Sequence, residues 1–331
     1  MNTAGRGLGC FSAAFAAFCA VSTGAHGAAA APDYPTKPLR FIVAQPPGGQ
    51  NDLQARAITQ KLAERWGQQI VIDNRGGAGG MIGFEIAARA APDGYTLAMG
   101  SISTLAVIPN LNPKLAYQPL RDFAPVTLVS TSPYMVVVPP QLPVKSLKEL
   151  VALAKAQPTK LSYASSGNAT GIQLATELFK SMAGISMTHV PYKGGAPATT
   201  ALIGGEVQVM FNNALTSVPH IKTGRLRALA VTGARRAAIL PELPTIAELG
   251  YPGYEADSWQ GIVTIAGTPK AIVMKLNRDL VEIIRLPDVS EFLTSQGNEI
   301  AANTPEQFSA YIATELAKWS KVIKDAGLRP E

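Results

Sequence analysis

The stretch LRFIVAQPPGGQNDLQARAITQKLAERW, residues 39–66, decides the fold. Leu39 to Ala44 is an apolar run of strand length, and Pro46-Pro47-Gly48-Gly49 is a turn. From Asp52 to Trp66 the residues Leu53, Ile58, Leu62 and Trp66 recur close to one helical face. Strand, glycine loop and helix in that order are the building unit of an α/β fold. The unit recurs at once: Ile70 to Asp73 is a second strand, a glycine-rich loop follows, Ile82 to Ala91 is a helix and Thr96 to Gly100 a third strand. Such repetition predicts a parallel sheet with helices on both faces.

Val126 to Ser130 and Tyr134 to Val138 are extended runs separated by Thr131 to Pro133, and a new α/β series begins after them. Ser146 to Ala156 is a helix whose Ser146 and Glu149 have the spacing of a capping box. Strands are expected at Lys160 to Ala164, Met187 to Pro191, Val207 to Phe211 and Leu226 to Thr232, with helices at Ile172 to Ala183 and Ala196 to Ile203. Ser258 to Ile265 reads as a strand leading back to the first series, before helices at Lys270 to Arg285, Asp288 to Gln296 and Pro305 to Ala326. This gives two α/β domains: 32–129 plus 255–331, and 130–254. Two crossovers between them form a hinge, with a ligand cleft between the domains.

Ahead of these, residues 1–31 have a different composition. Arg6 is the only formally charged residue there, Cys10 to Val21 is mostly apolar, and Ala25 to Ala31 is rich in small residues. That is the pattern of a cleavable secretory signal peptide, and the apolar run is shorter than the ~20 residues that span a bilayer. The mature protein is therefore expected in the periplasm. Cys10 and Cys19 both lie in the leader, so the mature chain has no disulfide and no thiolate metal site. His189 and His220 match no zinc spacing, and no metal or cofactor is expected.

The net charge of +6 falls to +5 when Arg6 leaves, and the basic residues are scattered without interleaved aromatics, which argues against nucleic-acid binding. Catalytic signatures also fail. Gly77-Ala78-Gly79 is followed by Ile82 where a dinucleotide fingerprint needs its third glycine, and Lys222-Thr223-Gly224 has no accompanying Ser-x-x-Lys nucleophile. No Gly-x-Ser-x-Gly occurs, and the protein is read as non-enzymatic.

Ligands of open α/β sheets bind beyond the carboxyl ends of the strands, at helix N-termini. Three loops fit: Gln45 to Asp52, with Asp52 as a candidate helix cap; Ser101 to Thr104; and Ser165 to Thr170. The first two lie in one domain and the third in the other, so a ligand is gripped from both sides. Lys193, after the strand ending at Pro191, offers a positive charge, and Phe211-Asn212-Asn213-Ala214, after another strand, offers the amide groups of Asn212 and Asn213. His189 reads as a structural histidine with satisfied hydrogen bonds.

Taken together, these loops resemble the tripartite tricarboxylate transporter receptors, the Bordetella uptake gene or "Bug" family. Residues 46–52 (PPGGQND), 73–83 (DNRGGAGGMIG), 163–167 (YASSG), 189–198 (HVPYKGGAPA) and 259–261 (WQG) occur in order, and the resemblance spans nearly all of Tyr34 to Glu331. It implies a type II periplasmic-binding-protein fold that holds a ligand carboxylate. The implied contacts are Gln45, Pro47, Gly48, Gly49, Gln50 and Asn51; Ser101 and Ser103; Ser165, Ser166 and Gly167; and Lys193 and Asn212. Asn74 and Arg75 are assigned to the scaffold, at the start of a glycine turn away from the cleft. Ala169, Gln173 and Gln50 depart from the common pattern and leave the ligand open among dicarboxylates, tricarboxylates, acidic amino acids and aromatic acids. The implied partners are the membrane subunits of a tripartite transporter, served by a monomeric receptor. A periplasmic sensor feeding a two-component system has the same sequence features, and an exported hydrolase would differ by turning its ligand over.

Overall fold

The computed structural model describes residues 33–158 and 160–328, so the leader assigned to residues 1–31 lies outside the described residues. The first lobe begins β1 (Leu39–Val43), α1 (Gln50–Trp66), β2 (Ile70–Asn74), α2 (Met81–Ala88), β3 (Thr96–Ser101) and the short helices α3 (Ile108–Leu111) and α4 (Pro119–Asp122). Strand β4 (Phe123–Val138) leads into α5 (Leu147–Ala156), β5 (Ser162–Ser165), α6 (Gly171–Ala183), β6 (Thr188–Pro191), α7 (Gly195–Gly204), β7 (Val209–Asn213), α8 (Ala214–Lys222) and β8 (Arg227–Val231). The chain returns through β9 (Asp257–Ile265) and ends with α9 (Lys270–Ile284), α10 (Pro287–Ser295), β10 (Glu299–Ile300) and α11 (Pro305–Asp325).

Strand order is β2-β1-β3-β9-β4-β7-β5-β6, with β8 and β10 also paired to β4. Each lobe has a parallel nucleus. In one, β1 lies between β2 and β3; in the other, β5 lies between β6 and β7, with Tyr163 opposite both His189 and Val209. Helices cover both faces of β1, whose residues are buried almost without interruption.

The sheet as a whole is mixed, which corrects the expectation of a parallel one. Strand β9 returns antiparallel between β3 and β4, and β4 runs antiparallel to β7 and β8. The two extended runs expected on either side of Thr131 to Pro133 are one strand of 16 residues. Proline ordinarily ends a strand because it has no N–H to donate. Pro133 is tolerated because β4 changes partners there: it pairs with β9 up to Pro133, and with β7 and β8 from Tyr134 onward.

One cluster of buried side chains runs through both lobes and includes Phe84, Phe123, Tyr163, Phe179, Phe211, Trp259 and Trp319. A second, around Phe41, Ile58, Leu62, Leu276 and Leu280, fills the space between β1, α1 and α9. Helix α11 packs on β4, α3 and α6. It is fastened to β9 by Glu315, whose Oε2 accepts from the indole nitrogens of Trp259 and Trp319, each at 2.8 Å. At the helix starts, Ser146 caps α5 as expected, but Glu149 accepts from the Lys145 N–H instead of closing the box. The reciprocal box forms at α11, between Thr304 and Gln307.

Candidate functional site

Between the lobes lies a cavity of about 350 Å³, within the range that encloses small metabolites. The first lobe contributes Ala44, Gln45, Pro46, Gln50 and Asn51 from the β1–α1 loop, Gly77, Gly79 and Gly80 from the glycine turn, and Ser101 to Ser103 after β3. The second contributes Ser166, Thr170, Gly171, Ile172, Gly194 and Asn213, while Tyr134 of β4 and Ser258 and Gln260 of β9 form the wall where the lobes join. None of these described lining side chains carries a formal charge.

Compensation for an anion must then come from dipoles. Helices α1, α2, α7 and α8 begin at the cavity, and their N-cap residues Gly49, Gly80, Gly194 and Asn213 make no side-chain cap hydrogen bond. No N-cap side chain takes their first-turn N–H groups, although in α1 the Asn51 N–H donates to Gln45 Oε1 at 3.4 Å and in α2 the Met81 N–H donates to the Ala78 carbonyl. Helix α6 begins there too, but Thr170 caps it through the Gln173 N–H. The residue after β3 opens a π-helical turn, Ser103–Val107, pinned by a bond from the Tyr117 hydroxyl to the Thr104 carbonyl at 2.6 Å.

The β1–α1 loop is held from beneath. Gly48 has φ +80°, a conformation that favours glycine. Its N–H donates to Asp52 Oδ2 at 2.8 Å, and Arg56 Nε reaches the same oxygen at 2.9 Å. Asn74 donates to Asp52 Oδ1 at 2.9 Å and to the Gln45 carbonyl at 3.1 Å. Asp52 is thus not the N-cap expected from the sequence: Gly49 takes that position, and Asp52, in the first turn, reaches back to Gly48. Burial pushes its carboxyl up, but the hydrogen bonds from Arg56, Gly48 and Asn74 outweigh burial and hold it below the ordinary carboxylate range. Asn74 is a support, as assigned. The glycine turn after it, however, forms part of the cavity wall and does not lie away from it.

Of the residues singled out from sequence, Gln45, Gln50, Asn51, Ser101, Ser103 and Ser166 line the cavity. Pro47, Gly48, Gly49 and Gly167 sit in the same loops but not on its surface. Ser165 is fully buried behind the wall. Its hydroxyl donates to the Gly167 carbonyl at 2.8 Å and meets His189 Nε2 at 2.7 Å. Gln173 accepts from the Ala169 N–H, which turns its amide nitrogen toward His189 Nδ1 at 3.2 Å. His189 therefore carries its proton on Nε2, and burial keeps the ring neutral by lowering its pKa.

Lys193 is exposed and outside the cavity wall. Asn212 is fully buried, with its amide engaged by Thr199, Thr216 and the Asn213 N–H. Its neighbour Asn213 lines the cavity in its place. Sequence reasoning missed Tyr134, Ser258, Gln260, Gly171 and Gly194. Gly194 and Gln260 were within reach, since both fall in the quoted family motifs. The position of Tyr134 depends on the long-range pairing of β4.

A family model described as the tripartite tricarboxylate transporter family receptor, TctC, matches residues 54–328. The chain belongs to this receptor family. Protein BugT of Bordetella pertussis is 38% identical over 89% of this chain and 91% of its own length. Among solved structures of the family, Rpa4515 of R. palustris with adipate is 37% identical, with a TM-score of 0.81 over 90% of this chain and 100% of that one. MatC of Rhodopseudomonas palustris with bound malate is 32% identical, with a TM-score of 0.77 over 88% of this chain and 100% of that one. Receptors of this family share the two-lobed α/β architecture found here.

Proposed function

We propose that the protein is an exported periplasmic receptor that captures a small carboxylate in the cleft between its lobes and passes it, unchanged, to the membrane subunits of a tripartite transporter. The observation that carries this reading is the uncharged cavity onto which four helix N-termini open without a bond from their N-cap side chains. A partly buried helix terminus contributes up to about 2 kcal/mol toward an anion. Four of them approach the ~8 kcal/mol of a micromolar complex. Two relatives with 32% and 37% identity hold malate and adipate, both dicarboxylates, which supports an acid with two carboxylates as the ligand.

In this reading residues 32–129 plus 255–331 form one domain and 130–254 the other, and closure about β4 and β9 buries the ligand. The contacts proposed from sequence that line the cavity take the ligand directly, while Gly48, Gly49, Ser165 and Gly167 shape the loops that present them. A thermal-shift screen of the mature chain against C4 to C8 mono-, di- and tricarboxylates, acidic amino acids and aromatic acids tests it. A ligand at a hundredfold excess over Kd adds about 2.7 kcal/mol to apparent stability. A shift with a dicarboxylate is the expected result, with the acid recovered intact. No shift across the panel, or consumption of the acid, refutes it.

A further inference from the structure

Behind the joining wall of the cavity lies a chain of buried amides whose polarity is set at one end. Asn298, 3% exposed, donates from Nδ2 to the Leu293 carbonyl at 2.9 Å. A backbone carbonyl only accepts, so Asn298 must present Oδ1 to its other neighbours. They are Gln50 Nε2 at 2.8 Å and Gln54 Nε2 at 3.2 Å. Gln54 is fully buried, and its other amide hydrogen is shared between Gln260 Oε1 at 3.4 Å and Ser130 Oγ at 3.3 Å, while the Ser130 hydroxyl reaches Gln260 Oε1 at 3.4 Å and Gln54 Oε1 at 3.5 Å. With Oε1 thus engaged, Gln260 turns Nε2 to Ser258 Oγ at 3.0 Å. Ser258 and Tyr134 stand side by side in the joining wall of the cavity. Tyr134 meets the start of α6, where a Cβ on Gly171 would overlap its oxygen.

We propose that Asn298 and Gln54 are positioning residues that fix this wall as a donor surface, selecting an ionised carboxylate over its isosteric carboxamide. Asn298 accepts at the anchored end, so Gln54 donates in both directions, back to Asn298 and on to Gln260, and Gln260 passes a hydrogen to Ser258. What remains for the cavity is the second Nε2 hydrogen of Gln260 and the phenolic hydrogen of Tyr134. Both residues line the cavity, whereas Gln54, Ser130 and Asn298 do not. Were the chain reversed, Gln260 would present a carbonyl oxygen, which repels a carboxylate and welcomes an amide N–H. This inference rests on the carboxylate reading of the same cavity.

The test is calorimetric titration of the mature chain with succinate, malate and adipate and with the monoamide of each. In the Gln54→Met/Ser130→Ala double variant both donors to Gln260 Oε1 are gone at nearly constant volume, so nothing holds the amide in one sense. The tightest diacid is expected to lose about tenfold in affinity, the equivalent of a single hydrogen bond to a charged group. Its monoamide, able to place the amide end against this wall, loses much less. Asn298→Ala, which removes the anchor, gives the same change in preference and serves if the double variant does not fold. Equal losses for acid and amide mark a merely structural role and overturn the proposal, as does an unchanged preference. Failure of the parent protein to bind any diacid overturns the proposed function and this inference with it.

Discussion

Replacing Asp52 by Asn removes a charge from a side chain only 2% exposed, at the point where the β1–α1 loop turns into its helix. The carboxylate accepts three hydrogen bonds, from Gly48, Arg56 and Asn74, distributed over both oxygens. Asparagine has one acceptor oxygen, so in either orientation an N–H faces a donor. An unmatched buried donor costs about 1–3 kcal/mol, and the remaining bonds lose their charge assistance, giving a loss near 3 kcal/mol. At about 2–4 °C per kcal/mol for a chain of this size, Tm falls by about 6–12 °C. Because the folded carboxyl lies below its ordinary range, its contribution is present above the unfolded value, ~3.9, and is lost as pH falls through the folded value. Thermal melts of parent and Asp52→Asn should therefore differ fully at pH 7 and draw together as pH falls below ~3.9. A gap at pH 7 below about 2 °C, or one that does not narrow as pH falls below ~3.9, refutes the argument that this carboxylate holds the loop.

Gly171→Ala puts a Cβ on the Tyr134 hydroxyl and forces the ring toward the cavity, so diacid affinity measured by calorimetry falls at least about tenfold; an unchanged Kd removes Tyr134 from the site. Lys193→Gln leaves Kd within about twofold at physiological salt, since an exposed charge outside the wall is screened; a larger loss brings Lys193 to the ligand. Asp257 is pushed up to about 7 by burial, then by Glu255, with Glu299 and Glu315 adding and Lys318 opposing. Its contribution is present below the unfolded carboxylate value and is lost as pH rises through about 7. Asp257→Asn therefore raises Tm at pH 8 by more than at pH 5, and a uniform effect across pH contradicts the assignment.

Local signals in the sequence carried the elements with a clean period. Strand β1 and helix α1 emerge from Leu39 to Trp66 because the apolar run and the helical stripe each point to one structure. The first-lobe loops were legible for the same reason, since glycine and proline mark where the chain must turn. The direction of β9 was not legible, because a strand's sequence says nothing about the orientation of its partner. Pro133 misled for a related reason: it breaks a strand locally, and only the exchange of β9 for β7 and β8 makes it tolerable. In the site, Asn212 and Asn213 are adjacent and chemically identical, and the choice between wall and core was made by Thr199 and Thr216, which engage Asn212. Tyr134, Ser258 and Gln260 come from strands more than a hundred residues apart, so their convergence exists only in the folded sheet.

The central claim is that dipoles and neutral donors hold a carboxylate between the lobes, and the most direct test is a crystal structure of the mature chain with the tightest acid of the panel. The account predicts carboxylate oxygens within hydrogen-bond distance of first-turn N–H groups of α1 and of α7 or α8, with no lysine or arginine in contact. An acid bound elsewhere, or paired with Lys193 or another cation, would contradict it.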